Sequence, residues 1–323
     1  MQMIDWENYH NGEGFVPYYE RRFKKDVVSF VKWICLAFLT GFVVGGASSA
    51  FSFVLTRVTA FRMQHLWVFL FLPVAGLLIV FLYKWIGKED GGTNQVFSTV
   101  KAQDEVPFRS APLIFVTTAL THLVGGSAGR EGAAIQLGGS IGNQMGRWLK
   151  LDEEDMHVIV MCGMSAAFAA VFGTPMAAAV FAMEVVSVGV MYYAALLPCV
   201  IAAIIAAEFA TGMGIDPETF PVHSIPGLTV GTGLKMALIA VGCGILSILF
   251  CILLKTVGQL YTKYLKNPYI RIVVAAGVII LLTICLNTKD YMGAGSGLIA
   301  RAIENGEARP LDFLWKMLLT ALT

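Results

Sequence analysis

Seven apolar stretches, each long enough to cross a bilayer, constrain this chain more than any other feature. They begin near Val27, Leu66, Pro112, Val158, Met191, Leu234 and Ile270. A membrane helix needs about 20 mostly apolar residues. Two further segments, Gly92 to Ala102 and Glu131 to Trp148, are too short or too glycine-broken to span alone. Lipid offers no partners for backbone N–H and C=O groups, so a chain of such stretches folds as helices that satisfy themselves internally. The expected fold is an all-α integral membrane bundle of uneven, partly broken helices. Composition agrees: 57% of residues are hydrophobic and only 14% charged, against about 25% charged in soluble domains. The first 26 residues are polar and lack the apolar core of a cleavable signal peptide. The first long stretch is therefore expected to stay in the membrane.

Charge sets an expected orientation. Arg21, Arg22, Lys24 and Lys25 precede the first span, which predicts a cytoplasmic N-terminus by the positive-inside rule. Lys255, Lys263, Lys266 and Arg271 mark a second cytoplasmic loop, whereas Gly212 to Val230 holds no Lys or Arg and reads as external. The net charge of +1 argues against a nucleic-acid partner. The six cysteines lie in apolar runs without a CxxC pair and read as small hydrophobes. The histidines are scattered, so no metal site is expected. His122, the one within an apolar run, reads as a hydrogen-bonded helix histidine. No Ser/His/Asp grouping or phosphate loop points to an enzyme or an organic cofactor. Gly293 to Gly297 reads as a helix break beside the membrane.

Glycine is placed with a pattern. Gly138, Gly142 and Gly146 recur every four residues, as do Gly41 and Gly45. Such stripes let helix backbones approach closely in a bilayer, and close packing is their expected role.

The chemistry concentrates in HLVGGSAGREGAAIQLGGSIGNQMGR, which starts at His122. Arg130 and Glu131 stand there between apolar stretches, behind a glycine-rich turn. Ionisable groups at membrane depth are expensive and mark functional sites. A glycine-rich break allows a helix to begin in mid-membrane, where its free N–H groups and positive dipole end face an anion. Glu131 at that start can occupy the place of a mobile anion, and protonation would vacate it. On spacing alone the pair also reads as a structural ion pair flanking a re-entrant turn.

GREGAAIQLGGSIG, Gly129 to Gly142, resembles the GREGP motif and following helix of the CLC chloride channels and transporters. GMSAAFAAVFGTPMAAAVFAMEVV, Gly163 to Val186, is similar to the family's next two helices, with its Phe-x-x-Pro joint at Phe172 to Pro175. The resemblance implies a CLC-type inverted-repeat bundle, with Glu131 as the gating glutamate and proton carrier. GGTNQV at Gly91 to Val96 stands in place of the usual GSGIP motif and is closer to the bacterial branch that exports fluoride against protons. It implies Gly92, Thr93 and Asn94 as anion-lining residues, together with Gly129, Arg130 and Gly132. The inner glutamate of many antiporters aligns with Val185, and the neighbouring Glu184 reads as a structural carboxylate. YMGAGSGLIARAI, Tyr291 to Ile303, resembles a short second-half segment, and the run LDFLWKMLLTALT ends at Thr323 before the family's later motifs.

The expected organisation is a cytoplasmic segment 1–26, a first membrane repeat 27–211, an external loop 212–230, and the truncated start of a second repeat 231–323. The expected function is proton-coupled transport of fluoride or chloride in the cell membrane by a homodimer embedded in lipid. The alternatives are a chloride-selective channel or exchanger of the same fold, and a non-transporting truncated relative that serves as a structural partner.

Overall fold

The computed structural model describes residues 15–86, 108–186, 191–217, 219, 227 and 229–323. Among them all regular structure is helical. The first helix, α1, spans Phe15–Gln64. It begins twelve residues before the apolar run at Val27, because the basic stretch ahead of that run has no helix breaker beyond Pro17. A proline in the first turn is tolerated, since the N–H it lacks would have no intrahelical partner. A 3-10 turn, Leu66–Phe71, then leads into α2, Leu72–Trp85. The helices α3 (Ser110–Leu123), α4 (Glu131–Trp148), α5 (Glu153–Phe172), α6 (Pro175–Val186) and α7 (Leu196–Gly212) follow. The chain continues through α8 (Val230–Tyr264), α9 (Pro268–Cys285), α10 (Ser296–Glu304) and α11 (Asp312–Leu322).

Among the described residues, six segments are long and apolar enough to cross a membrane. The run at Pro112 is the exception among the seven expected. It forms the 14-residue α3, which ends where Gly125 turns the backbone into the left-handed region (φ 83°). At about 1.5 Å per residue such a helix covers some 21 Å, short of the roughly 30 Å hydrocarbon core.

The glycine stripes do what their spacing predicts. A Cβ on Gly138 would collide with the Gly163 carbonyl of α5, and one on Gly142 would lie 2.7 Å from the Ile159 carbonyl. The order of these contacts makes α4 and α5 antiparallel. Gly41 and Gly45 meet Ala202 and Ala206 as closely, here in ascending order, setting α1 parallel to α7. Of the cysteines, Cys162 and Cys199 are buried at the α5–α7 contact, while the other four are exposed. Only two of the six therefore behave as core hydrophobes.

Two ends of the bundle can be told apart. At one, Asp152 caps α5 by accepting from the Asp155 N–H at 2.9 Å, and the Asp155 carboxylate pairs with Lys32 in the N-terminal half of α1. At the other, the Arg130 guanidinium lies over the Phe172 ring, 5.1 Å from its centroid. Gly173 (φ 70°) and Pro175 make the expected joint there between α5 and α6.

Buried side chains form two main cores. The larger joins α1, α3, α4, α5, α6 and α7 around Phe51, Ile159, Met164 and Met183. The smaller joins α2, α9 and α11 through Leu72, Ile279, Tyr291 and Leu319, and takes in Val124 at the end of α3. The glycine-rich turn 125–129 therefore runs along the seam between them. By contrast α8 is 35 residues long with no buried residue.

Candidate functional site

Glu131 is the first residue of α4. The first intrahelical bond runs from the Ala134 N–H to the Arg130 carbonyl at 2.9 Å. The N–H groups of Glu131, Gly132 and Ala133 therefore precede the helical ladder. Arg130 occupies the N-cap position without a side-chain cap bond, so its side chain does not cover those amides. Its guanidinium turns instead toward Phe172.

The Glu131 side chain is exposed and folds back over Gly129. A Cβ on Gly129 would coincide with the Glu131 Oε2 atom and lie 3.1 Å from its Cδ. Gly129 is thus the residue whose missing side chain gives the carboxylate its place. Of the sequence-predicted site residues, Gly129, Arg130, Glu131 and Gly132 come together at this helix start. Gly92, Thr93 and Asn94 lie outside the described residues.

Beside the site is a cavity of about 570 Å³. Its lining includes Arg62 from α1, His122 from α3, Arg130, and Lys289, Asp290 and Arg301 from the second half of the chain. Four cationic side chains against one carboxylate give its wall an anion-attracting character. Asp290 and Arg301 are paired at 2.7 Å. Partial burial, the largest single influence, would raise the Asp290 carboxyl, but the hydrogen bonds of Arg301 and Thr288 and the nearby guanidinium charges together leave it below its ordinary value.

Two residues that hold the turn, Arg62 and Lys316, escaped the sequence reading. Arg62 is buried, and its Nη1 donates to the His122 carbonyl at 2.8 Å. The sequence reads His122 as a hydrogen-bonded helix histidine, but its buried Nε2 has no hydrogen-bond partner among the described residues. Lys316 of α11 donates to the Ser127 hydroxyl at 2.8 Å. The signal that could have found Lys316 is the one used for Arg130 and Glu131: a lone charge inside an apolar run. Glu184 is exposed on α6, because its neighbours Ala182 and Met183 take the buried face. The structural carboxylate expected at this position is therefore not buried in a helix contact.

The profile described as Voltage gated chloride channel matches residues 75–323. The chain belongs to this family. A chloride/fluoride channel protein of Pseudomonas syringae pv. tomato is 34% identical over 322 residues, which is 96% of this chain and 70% of that protein. A crystal structure of a CLC-type fluoride/proton antiporter superposes with a TM-score of 0.86 at 34% identity, covering 91% of this chain and 75% of the other. The H(+)/Cl(-) exchange transporter ClcA of Cronobacter sakazakii is 31% identical over 167 residues, 47% of this chain but only 36% of its own length. Membership makes this an integral membrane protein of the CLC fold, related to halide channels and proton-coupled halide transporters.

Proposed function

We propose that this chain carries fluoride across the cell membrane in exchange for protons, with Glu131 as the gate. The observation that carries the reading is the carboxylate at the start of α4, folded over Gly129 beside amides that the helix leaves without partners. Such a helix start favours a negative charge through its N–H groups and its dipole. The ionised Glu131 carboxylate and a mobile anion compete for that place. When the carboxylate takes a proton it no longer needs the amides, and the anion enters. When it releases the proton to the other side, the anion is displaced. Arg62, Arg130, Lys289 and Arg301 around the cavity raise the local concentration of anions at this end.

Fluoride is favoured over chloride by the similarity to the Pseudomonas protein and the fluoride/proton antiporter along nearly all of this chain. Gly92, Thr93 and Asn94, which lie outside the described residues, are proposed to line the anion path, with the amide or hydroxyl replacing the water of a small, strongly hydrated ion. The N-terminus lies in the cytoplasm, 212–230 is external, and two copies form a homodimer with one pathway each.

The test is side-by-side fluoride and chloride efflux from proteoliposomes, with proton uptake recorded in parallel. Fluoride efflux is expected to exceed chloride efflux at least tenfold and to drive protons inward. Equal rates would assign a chloride-type exchanger, and no flux of either ion would assign a non-transporting relative. Glu131→Gln, which mimics the protonated carboxylate, is expected to abolish proton movement and flatten the pH dependence of anion efflux. Intact proton coupling in that variant would remove Glu131 from its role.

A further inference from the structure

Lys316 is the single charged residue in the run FLWKMLLTAL, which places an ammonium deep in the bundle on α11. Such a charge requires partners, and the structure supplies three. Its Nζ donates to the Ser127 hydroxyl at 2.8 Å, the Tyr291 carbonyl at 3.1 Å and the Gly293 carbonyl at 2.5 Å. An ammonium has three donors, and all three are engaged.

The surrounding bonds run in one consistent direction. The Thr320 hydroxyl donates to the Lys316 carbonyl at 2.8 Å. Its oxygen then accepts from the Ser127 hydroxyl at 3.0 Å, since the Ser127 oxygen already receives the lysine. The Ser127 N–H donates to the Thr323 hydroxyl at 3.1 Å, and the Gly293 N–H donates to the Gly126 carbonyl at 3.1 Å. Gly293 (φ 68°) and Gly295 (φ 90°) take left-handed conformations that bring the 291–295 loop around the lysine, and a Cβ on Gly295 would lie 3.1 Å from the Lys316 Cε. The second half of the chain is thereby clipped to the turn that delivers Glu131.

We infer that Lys316 is the positioning residue of the gate: it fixes the 125–129 turn that delivers the Glu131 carboxylate. With its donors all used it is not an anion ligand. It acts through the turn that carries Gly129, over which the Glu131 carboxylate folds. The other charged and titratable groups around this point are Arg62 of α1, His122 of α3 and Arg130 at the α4 start. Lys289, Asp290 and Arg301 line the adjoining cavity. On α11 itself, the Asp312 carboxylate accepts from the Tyr291 hydroxyl at 2.6 Å.

This inference rests on the gating role proposed for Glu131, and the test separates the two. Fluoride efflux from proteoliposomes of the full chain is recorded against pH for wild type, Lys316→Met, Lys316→Arg, Ser127→Ala and Glu131→Gln. Removing the ammonium releases the Ser127 hydroxyl and the Tyr291 and Gly293 carbonyls together. Lys316→Met is therefore expected to lower the maximal fluoride efflux severalfold and, with proton uptake recorded in parallel, to reduce the protons moved per fluoride, while Lys316→Arg, which keeps the donors, stays near wild type in both. Ser127→Ala keeps the ammonium and loosens the clip, so its maximal rate should fall severalfold. If Lys316→Met does not assemble, this serine variant decides: a wild-type rate there overturns the inference. Wild-type efflux and proton coupling in Lys316→Met also overturn it, and a flat profile in Glu131→Gln beside them leaves the gate standing. A pH dependence retained in Glu131→Gln overturns both.

Discussion

The helices α5 and α8 are both apolar enough to span a bilayer, yet they meet opposite surroundings. The most apolar 18-residue window of α5 is 72% buried at a mean hydropathy of 1.7, whereas that of α8 is 0% buried at 2.8. The more hydrophobic helix is the less buried one. In water this order would be perverse. In a membrane it is reasonable, because lipid tails solvate Leu and Ile as well as a protein interior does, and helices associate through close packing of small residues. The buried face of α5 is rich in Gly, Ala and Ser, with Gly163, Ser165, Ala166, Ala167 and Ala170 all nearly inaccessible. The exposed surface of α8 carries Leu234, Leu238, Ile239, Ile245, Ile248 and Ile252.

The contrast is broken or sharpened most strongly by adding the same side chain to both helices. Gly163→Leu inserts bulk where even a Cβ collides with the Gly138 carbonyl. It should destabilise the protein by about 3 kcal/mol or prevent assembly, as read by thermal or denaturant unfolding in detergent. Gly242→Leu and Gly244→Leu, at positions where an added Cβ would meet nothing within 4 Å, should change stability by less than about 0.5 kcal/mol. Equal losses would mean that α8 is covered by something the chain itself does not provide.

A smaller effect is expected from single hydroxyls. Ser165 donates to the Cys199 carbonyl at 3.1 Å inside the α5–α7 contact, and Ser165→Ala should cost about 0.6–1 kcal/mol. The Thr262 hydroxyl on α8 bonds only back to the Gly258 carbonyl at 2.8 Å, so Thr262→Ala should be close to neutral in the same unfolding assay. The smallest effect concerns pH. The folded Asp290 carboxyl lies below its ordinary value, so its contribution is complete above the ordinary aspartate value of about 3.9 and is lost as pH falls through the lowered one. Asp290→Asn should remove that acid-side loss near the 289–301 loop while leaving the α4–α5 packing unchanged.

Much of this was legible in the chain. Runs of apolar residues located the long helices, and the bounds Glu131 and Trp148 coincided with α4. The spacing of Gly138, Gly142 and Gly146 announced a helix contact, since backbone approach needs small residues at every turn. The resemblance around Gly129 to Gly142 placed Glu131 at a helix start. Other features depend on distant partners and leave no local mark. Hydropathy cannot distinguish a residue facing lipid from one facing protein, so α5 and α8 looked alike. Arg62 appeared to be one more basic residue near a helix end, though it is 8% exposed and ties α1 to His122. The ring closed by Lys316, Ser127 and Thr320 joins positions almost 190 residues apart, and no periodicity encodes such a contact.

The bareness of α8 carries one more consequence. Lys235 and Lys255 lie 20 residues apart, about 30 Å along the axis, which equals the thickness of a typical hydrocarbon slab. Their long stems can reach the headgroups on either side. Held to α11 through the Tyr261 hydroxyl and the Leu322 carbonyl but burying none of its own residues, this helix can lean when the host bilayer thins or swells, so the lipid species in which the protein is reconstituted should be felt along α8.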